Sequence, residues 1–191
     1  MRVQHLFPQT IEHGSVHIHT KAIDAMESCQ DFLCARDFGY PPMHEGREVT
    51  ILHIDNELWM SDSNMEIVSN QRFARKARGH VFVAGLGLGL VVQMLMQNYN
   101  IESITVMEVN QDVIDVVKPT LHPDVVVLKG DVWEPSEVLE AQRQFDSLYF
   151  DVWSASGGDN HDEFKELRAL YRPYRAKGSY ATYWGEEWRN I

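Results

Sequence analysis

An apolar run, Val81-Phe82-Val83-Ala84, ends in Gly85-Leu86-Gly87-Leu88-Gly89 and passes straight into a second apolar stretch from Leu90 to Gln97. Few arrangements satisfy that order. A short apolar run bounded by glycines reads as a buried strand, and the longer stretch reads as a helix. The glycines between them permit positive φ and close approach to the backbone. A strand that turns this sharply into a helix is the opening unit of an α/β sheet with its helices packed on the faces.

The rest of the chain repeats the unit. Ser103 to Glu108 reads as a strand and Gln111 to Lys118 as a helix stopped by Pro119. Val125 to Leu128 is a third strand, ending at Lys129-Gly130-Asp131, and a weak helix is expected around Pro135 to Arg143. A fourth strand, Ser147 to Asp151, a helix, His161 to Tyr171, and a fifth strand, Ser179 to Trp184, complete the series. Apolar strands alternating with helices predict a doubly wound, mostly parallel sheet, whose ligand crevice lies at the strand carboxyl ends.

Before Gly79 the pattern is shorter and less regular. Val16 to Lys21 alternates like a half-buried strand, and Ala25 to Ala35 reads as a short helix. Glu48 to Ile54 and Glu57 to Met60 read as strands joined by Asp55-Asn56, a favourable hairpin pair. Ser63 or Asn64 can cap a helix from about Met65 to Ala77. The expected organisation is a small β-rich appendage over residues 1–64 and a nucleoside-binding domain over residues 65–191.

Charge and cysteine usage limit the partners. A net charge of −11 repels nucleic-acid phosphates over most of the surface, so nucleic acid is not the expected partner. Arg72, Arg75, Lys76 and Arg78 cluster on one expected helix, where a solvated face near the helix C-terminus accounts for them. No stretch reaches the ~18 apolar residues that would mark a membrane span, and no apolar signal region follows Met1-Arg2-Val3-Gln4-His5. A cytoplasmic protein is expected. The two cysteines, Cys29 and Cys34, are expected to be buried or half-buried free thiols. A metal site joining them to His17, His19 and His44 is the sharper alternative, but the cysteine spacing is not that of structural zinc, and no metal is assigned.

Four features fall at the carboxyl ends of consecutive expected strands. The glycine turn offers close backbone approach at Gly85, Gly87 and Gly89, although simple strand–helix packing also uses such turns. Glu108 can accept both hydroxyls of a ribose, or cap the next helix if Asn110 does not. Asp131 can accept from the exocyclic amine of adenine while Val132 or Trp133 packs on the ring, or it can serve as an N-cap. Asp151 can bind an amine or take a proton, or else form a turn. A nicotinamide dinucleotide pattern would need a small residue at position 90, where this chain has Leu90.

The stretches Val81 to Gly89, Val106-Met107-Glu108, Gly130-Asp131 and Phe145 to Asp151 resemble the class I S-adenosylmethionine-dependent methyltransferase fold. The resemblance covers about Met65 to Trp184. It implies that Gly85, Gly87 and Gly89 pass the methionine part of S-adenosylmethionine, that Glu108 holds its ribose, that Asp131 meets its adenine, and that Asp151 faces the acceptor. Within that fold the chain is most similar to the spermidine-synthase branch, through the hairpin Glu48 to Met60 and the segment Met65 to Gln71. This adds Gln71 as a residue bordering the substrate, and decarboxylated S-adenosylmethionine as an alternative cofactor. The branch's Asp-x-x-Asp motif is matched at Asp151 but has Ser154 in its second position, and its glycine-loop acid is replaced by Leu86 and Leu88.

Trp153, together with Tyr180, Tyr183, Trp184 and Trp188, can wall an acceptor pocket or fill core. Members of the fold continue beyond the fifth strand, so its edge is expected to be covered by the N-terminal hairpin, by the tail Gly185 to Ile191 or by another subunit, and a homodimer or larger assembly that uses the N-terminal region or this edge is expected. Three functions follow as expectations: methyl transfer to a small or peptide-borne acceptor, aminopropyl transfer, or a non-catalytic nucleoside-binding or assembly module.

Overall fold

The computed structural model describes residues 3–140, 144–154 and 158–186. The chain begins with four antiparallel strands in the order β1-β2-β3-β4: β1 (Ile11–His13), β2 (Val16–Ala22), β3 (Glu48–Ile54) and β4 (Glu57–Ser61). Helix α1 (Ala25–Phe38) lies between β2 and β3 and starts on a capping box in which Asp24 and Glu27 satisfy each other's backbone N–H groups. The hairpin turn is as expected: Asp55 and Asn56 take φ of 53° and 66°, the positive values a two-residue turn needs if its strands are to keep their twist.

Ser63 then caps α2 (Asn64–Lys76) by accepting the Glu66 N–H, and the strand–helix series follows. It comprises β5 (Gly79–Ala84), α3 (Leu90–Leu95), β6 (Ile101–Glu108), α4 (Gln111–Val117), β7 (Val126–Lys129), β8 (Phe145–Phe150), α5 (Gly158–Leu170) and β9 (Arg175–Tyr183). The five strands β5 to β9 form one sheet in the order β7-β6-β5-β8-β9, parallel throughout. This is the doubly wound arrangement read from the sequence. Its winding reverses between β5 and β8, and a crevice opens at the carboxyl ends of such neighbours.

Both faces of the sheet are buried, which explains strands without polar alternation. On one face Val81 and Val83 pack against Phe73 of α2, Leu90 and Leu95 of α3 and Val113 of α4. The same core takes in Val16, Ile18 and Leu52, so the N-terminal sheet is sealed to the parallel sheet by a shared apolar layer. On the other face Phe82 and Ala84 meet Phe145, Phe150, and Phe164 and Leu167 of α5. Two carboxylates, one buried and one half-buried, tie the N-terminal region down. Asp62 accepts from the Val3 N–H at 3.0 Å and the Thr50 N–H at 2.8 Å. Asp112 on α4 accepts from the backbone and hydroxyl of Ser15 at 2.8 and 2.9 Å.

Two sequence readings are corrected, and one strand lay outside them. Cys29 and Cys34 are both exposed, because α1 fully buries only Ala35 and carries both thiols on its outward surface. The helix expected around Pro135 to Arg143 is a single 3-10 turn, Pro135–Glu137, within the described residues; positions 141–143 lie outside them. Val138 and Leu139 both pack inward and, being adjacent, cannot share one helical face. The strand β1 was not legible at all, since three residues carry no period. Among the described residues no helix is long and apolar enough to cross a membrane.

Candidate active site

A crevice of about 340 Å³ opens at the carboxyl ends of β5, β6 and β8. It is lined by Gly85, Gly87, Glu108, Asp131, Val132, Asp151 and Trp153, which the sequence reading had placed at a common site. Two other candidates stand apart from its lining. Gly89 caps α3 and packs toward Leu121 and Val117, and Gln71 lies half-buried on α2.

Glu108 is the best-anchored of these groups. It ends β6 and is 8% exposed, and its carboxylate accepts the Leu86 N–H at 2.8 Å through Oε2 and the Asn110 N–H at 2.7 Å through Oε1. Capping of α4 falls to Asn110, whose side chain accepts from Asp112 and Val113 at 2.8 and 3.3 Å. Glu108 is therefore free of the helix and clamps the glycine turn instead. Each carboxylate oxygen retains lone-pair capacity toward the crevice.

The glycine turn is shaped first by the protein itself. Gly85 has φ +91°, and a Cβ placed there would lie 1.9 Å from the carbonyl oxygen of Asp151. At Gly87, with φ +48°, a Cβ would lie 2.5 Å from Sδ of Met60, which also accepts the Leu88 N–H at 3.3 Å. So the strand ends and the β3–β4 hairpin close directly on this turn, and the hairpin supplies Leu52, Ile54, Trp59 and Met60 to the crevice wall. Asp131 turns back on its own segment, accepting the Trp133 N–H at 2.9 Å, and shares the crevice rim with Val132 and Trp133.

The principal feature missed in the sequence is Glu66. It is 7% exposed on the first turn of α2 and lines the crevice with Asp151. Burial, then the neighbouring charge of Asp151, push the Glu66 carboxyl well above the usual carboxylate range, against a hydrogen bond with Trp184 that pulls it down. Burial pushes Asp151 up to about 7. Two acids that cannot both ionise cheaply in one dry site carry a proton between them through neutral pH. In the sequence, Ser63-Asn64-Met65-Glu66 has the form of a capping box, which gives Glu66 a structural role. The box is only half made: Ser63 caps, and the Glu66 side chain turns into the crevice.

Five carboxylates line the crevice, those of Glu66, Glu108, Asp131, Asp151 and Glu163, and no Lys, Arg or His among the described residues does. Four of the chain's five tryptophans line it as well: Trp59, Trp133, Trp153 and Trp184. The Trp153 indole N–H donates to Glu163 of α5. Tyr180 and Tyr183 belong to a separate, smaller cavity and the core, Ser154 is exposed, and Trp188 lies outside the described residues. Such a site offers hydrogen-bond acceptors, flat apolar walls and a strongly negative field.

No protein-family model matches the chain, and no curated protein does. Similar solved structures include DhpI in complex with SAH, 20% identical, with 62% of this chain and 56% of that one covered and a TM-score of 0.47. Spermidine synthase in complex with the transition-state analogue AdoDATO is 15% identical, covering 66% of this chain and 47% of that one at a TM-score of 0.49. The plantazolicin methyltransferase BpumL in complex with SAH is 11% identical, covering 59% and 43% at a TM-score of 0.43. The chain thus spans about half the length of each of these structures.

Proposed function

We propose that the crevice binds S-adenosylmethionine and that the protein transfers a methyl group to a small or peptide-borne acceptor. The observation that carries this reading is the lining of five carboxylates with no basic side chain among the described residues. A dinucleotide would bring a pyrophosphate into that field and be repelled, whereas a cationic sulfonium joined to a neutral sugar and an amine-bearing purine is matched by it. The volume of about 340 Å³ suits a ligand of that class.

In this reading Glu108 accepts the ribose hydroxyls with its free lone pairs, Asp131 accepts from the adenine amine, and Val132 packs on the ring. Gly85 and Gly87 pass the methionine part. The cofactor supplies an electrophilic methyl group, so the protein's own contribution is alignment and proton removal. The acceptor atom gains the methyl and gives up its proton to Asp151, whose raised affinity for a proton suits it to a base near neutrality. Glu66 holds the neighbouring proton and Trp153 borders the acceptor.

The decisive experiment is calorimetric titration with S-adenosylhomocysteine beside NAD⁺, followed by transfer of labelled methyl to an acceptor panel. Binding of the first, none of the second, and labelled product support the reading. Preference for NAD⁺ overturns it. Tight nucleoside binding with no product across the panel favours a non-catalytic binding module.

One observation favours a second reading. Ser154 removes the second acid of the aminopropyltransferase motif, yet Glu66 delivers an acid beside Asp151 from another element. A paired acid site suits an amine acceptor, and with it transfer from decarboxylated S-adenosylmethionine. A larger thermal shift with the decarboxylated cofactor than with S-adenosylmethionine selects this reading. Assembly as a homo-oligomer belongs to the same proposal: β9 is an edge strand of the parallel sheet, and light scattering at micromolar concentration tests whether another subunit covers it.

A further inference from the structure

On the far side of the β3–β4 hairpin from the crevice, three histidines gather on one sheet face. His17 and His19 are two apart on β2, so their rings project to the same side. His53 on β3 is the direct cross-strand partner of His17. Its neighbours Leu52 and Ile54 point the other way, into the crevice. The rings are stacked, with centroids 4.7 Å apart for His17 and His19, 5.3 Å for His19 and His53, and 6.0 Å for His17 and His53.

We propose that His17, His19 and His53 bind one divalent transition-metal ion of the zinc class through three imidazole nitrogens. One ring nitrogen from each histidine lies within 4.8 Å of the others. Donors around a tetrahedral zinc with bonds of about 2.0 Å are roughly 3.3 Å apart, so small rotations of half-buried rings close the set. A second, independent observation supports a ligand here: Nδ1 of His19 and Nδ1 of His53 are buried without a hydrogen-bond partner. Buried ring nitrogens are normally satisfied, and two exceptions on neighbouring rings of one cluster leave lone pairs that a ligand can take.

The same sheet face carries Val49 and Ile51, which pack with Ile23 and Met43 in a small apolar cluster beside the triad. Three imidazoles leave a fourth position open to water, or to Glu12, which lies across from His17 on β1. The cysteines considered in the sequence play no part, being exposed on α1. The signal available there was His-x-His alone; His53 enters only through the strand register.

The test uses the full chain, freed of any affinity tag and of bound metal. Titration with Co²⁺ is followed by its visible d–d bands, and Zn²⁺ by competition with a chromophoric chelator. One Co²⁺ per chain with a four-coordinate spectrum is expected, displaced by Zn²⁺. His19→Ala and His53→Ala are each expected to raise the Kd for Zn²⁺ at least about tenfold. Asp115→Asn, at the separate His13–Asp112–Asp115 cluster, is expected to leave it unchanged. To guard against variants that do not fold, histidine-selective ¹⁵N spectra of the unaltered protein are expected to show Zn²⁺ moving the ring resonances of three of the nine histidines. No stoichiometric binding, affinity kept in both alanine variants, or loss of affinity on Asp115→Asn overturns the proposal.

Discussion

The carboxylate of Glu108 accepts the backbone N–H of Leu86 at 2.8 Å, across 22 residues of chain, and so fastens the end of β6 to the glycine turn that follows β5. With Asn110 as its second donor, the side chain is oriented before any ligand arrives. Glu108→Gln replaces one oxygen by an amide, which satisfies only one of the two N–H donors and sets the other against a second donor. Hydrogen bonds to charged groups contribute about 1.5–3 kcal/mol, and each 1.4 kcal/mol is tenfold in affinity. The expected outcome is at least about a tenfold weaker Kd for S-adenosylhomocysteine by calorimetry. Unchanged affinity would separate Glu108 from the ligand.

Asp151 ought to behave differently, because in the proposed reaction its work is proton removal. Asp151→Asn is expected to cut transfer by about 100-fold or more while the S-adenosylhomocysteine Kd stays within about threefold. In the unaltered protein the rate is expected to rise with pH through about 7, as the carboxyl raised by burial ionises. Single-turnover transfer and calorimetry on the same preparations make the comparison. Equal loss of binding and turnover removes Asp151 from the chemistry.

Several of these groups were legible before the structure because their local rules agree with their global roles. Asp55-Asn56 can hardly be anything but a two-residue turn, and Asn110 took the capping of α4, which left Glu108 free for the crevice. Glu66 was hidden for the opposite reason: its position after Ser63 satisfies a local rule that its side chain does not follow. His53 and Trp59 were illegible on other grounds. Their partners lie in another strand or across a crevice, and pairing register is not written in the spacing of one segment. The missing helix after β7 marks the same limit, since Val138 and Leu139 follow the core rather than a helical period.

The glycine turn yields a stability prediction independent of any ligand. A methyl group at Gly85 meets the Asp151 carbonyl at 1.9 Å, with φ at +91°, and neither strand end can move without breaking the sheet. Gly85→Ala is expected to cost about 3 kcal/mol or more, lowering Tm by several degrees or abolishing soluble expression. Gly39→Ala, also at positive φ but with nothing within 4 Å, isolates the backbone contribution and is expected to cost about 1 kcal/mol. Equal effects from the two substitutions would show that the close approach at Gly85 is not rigid.

The Glu66–Asp151 acid pair gives the chain a pH-dependent stability whose sign is opposite to that of a salt-bridged carboxylate. Burial raises the pKa of Asp151 from its ordinary 3.8 to about 7, so between those values the folded state binds more protons than the unfolded one. Stability from this site is complete below the lower value and is lost as pH rises through the upper one. Glu66, shifted in the same direction, adds to the trend. Asparagine mimics the protonated acid at every pH. Asp151→Asn is therefore expected to match the unaltered protein in Tm only near about pH 3 to 4 and to exceed it by a margin that widens up to about pH 8, at roughly 2–4 °C per kcal/mol for a chain of this size. Comparing the two proteins cancels the histidines and surface acids, which titrate in both. A difference that grows toward acid instead would mean that Asp151 is held ionised by an attraction, and the site could not then keep a base ready near neutrality.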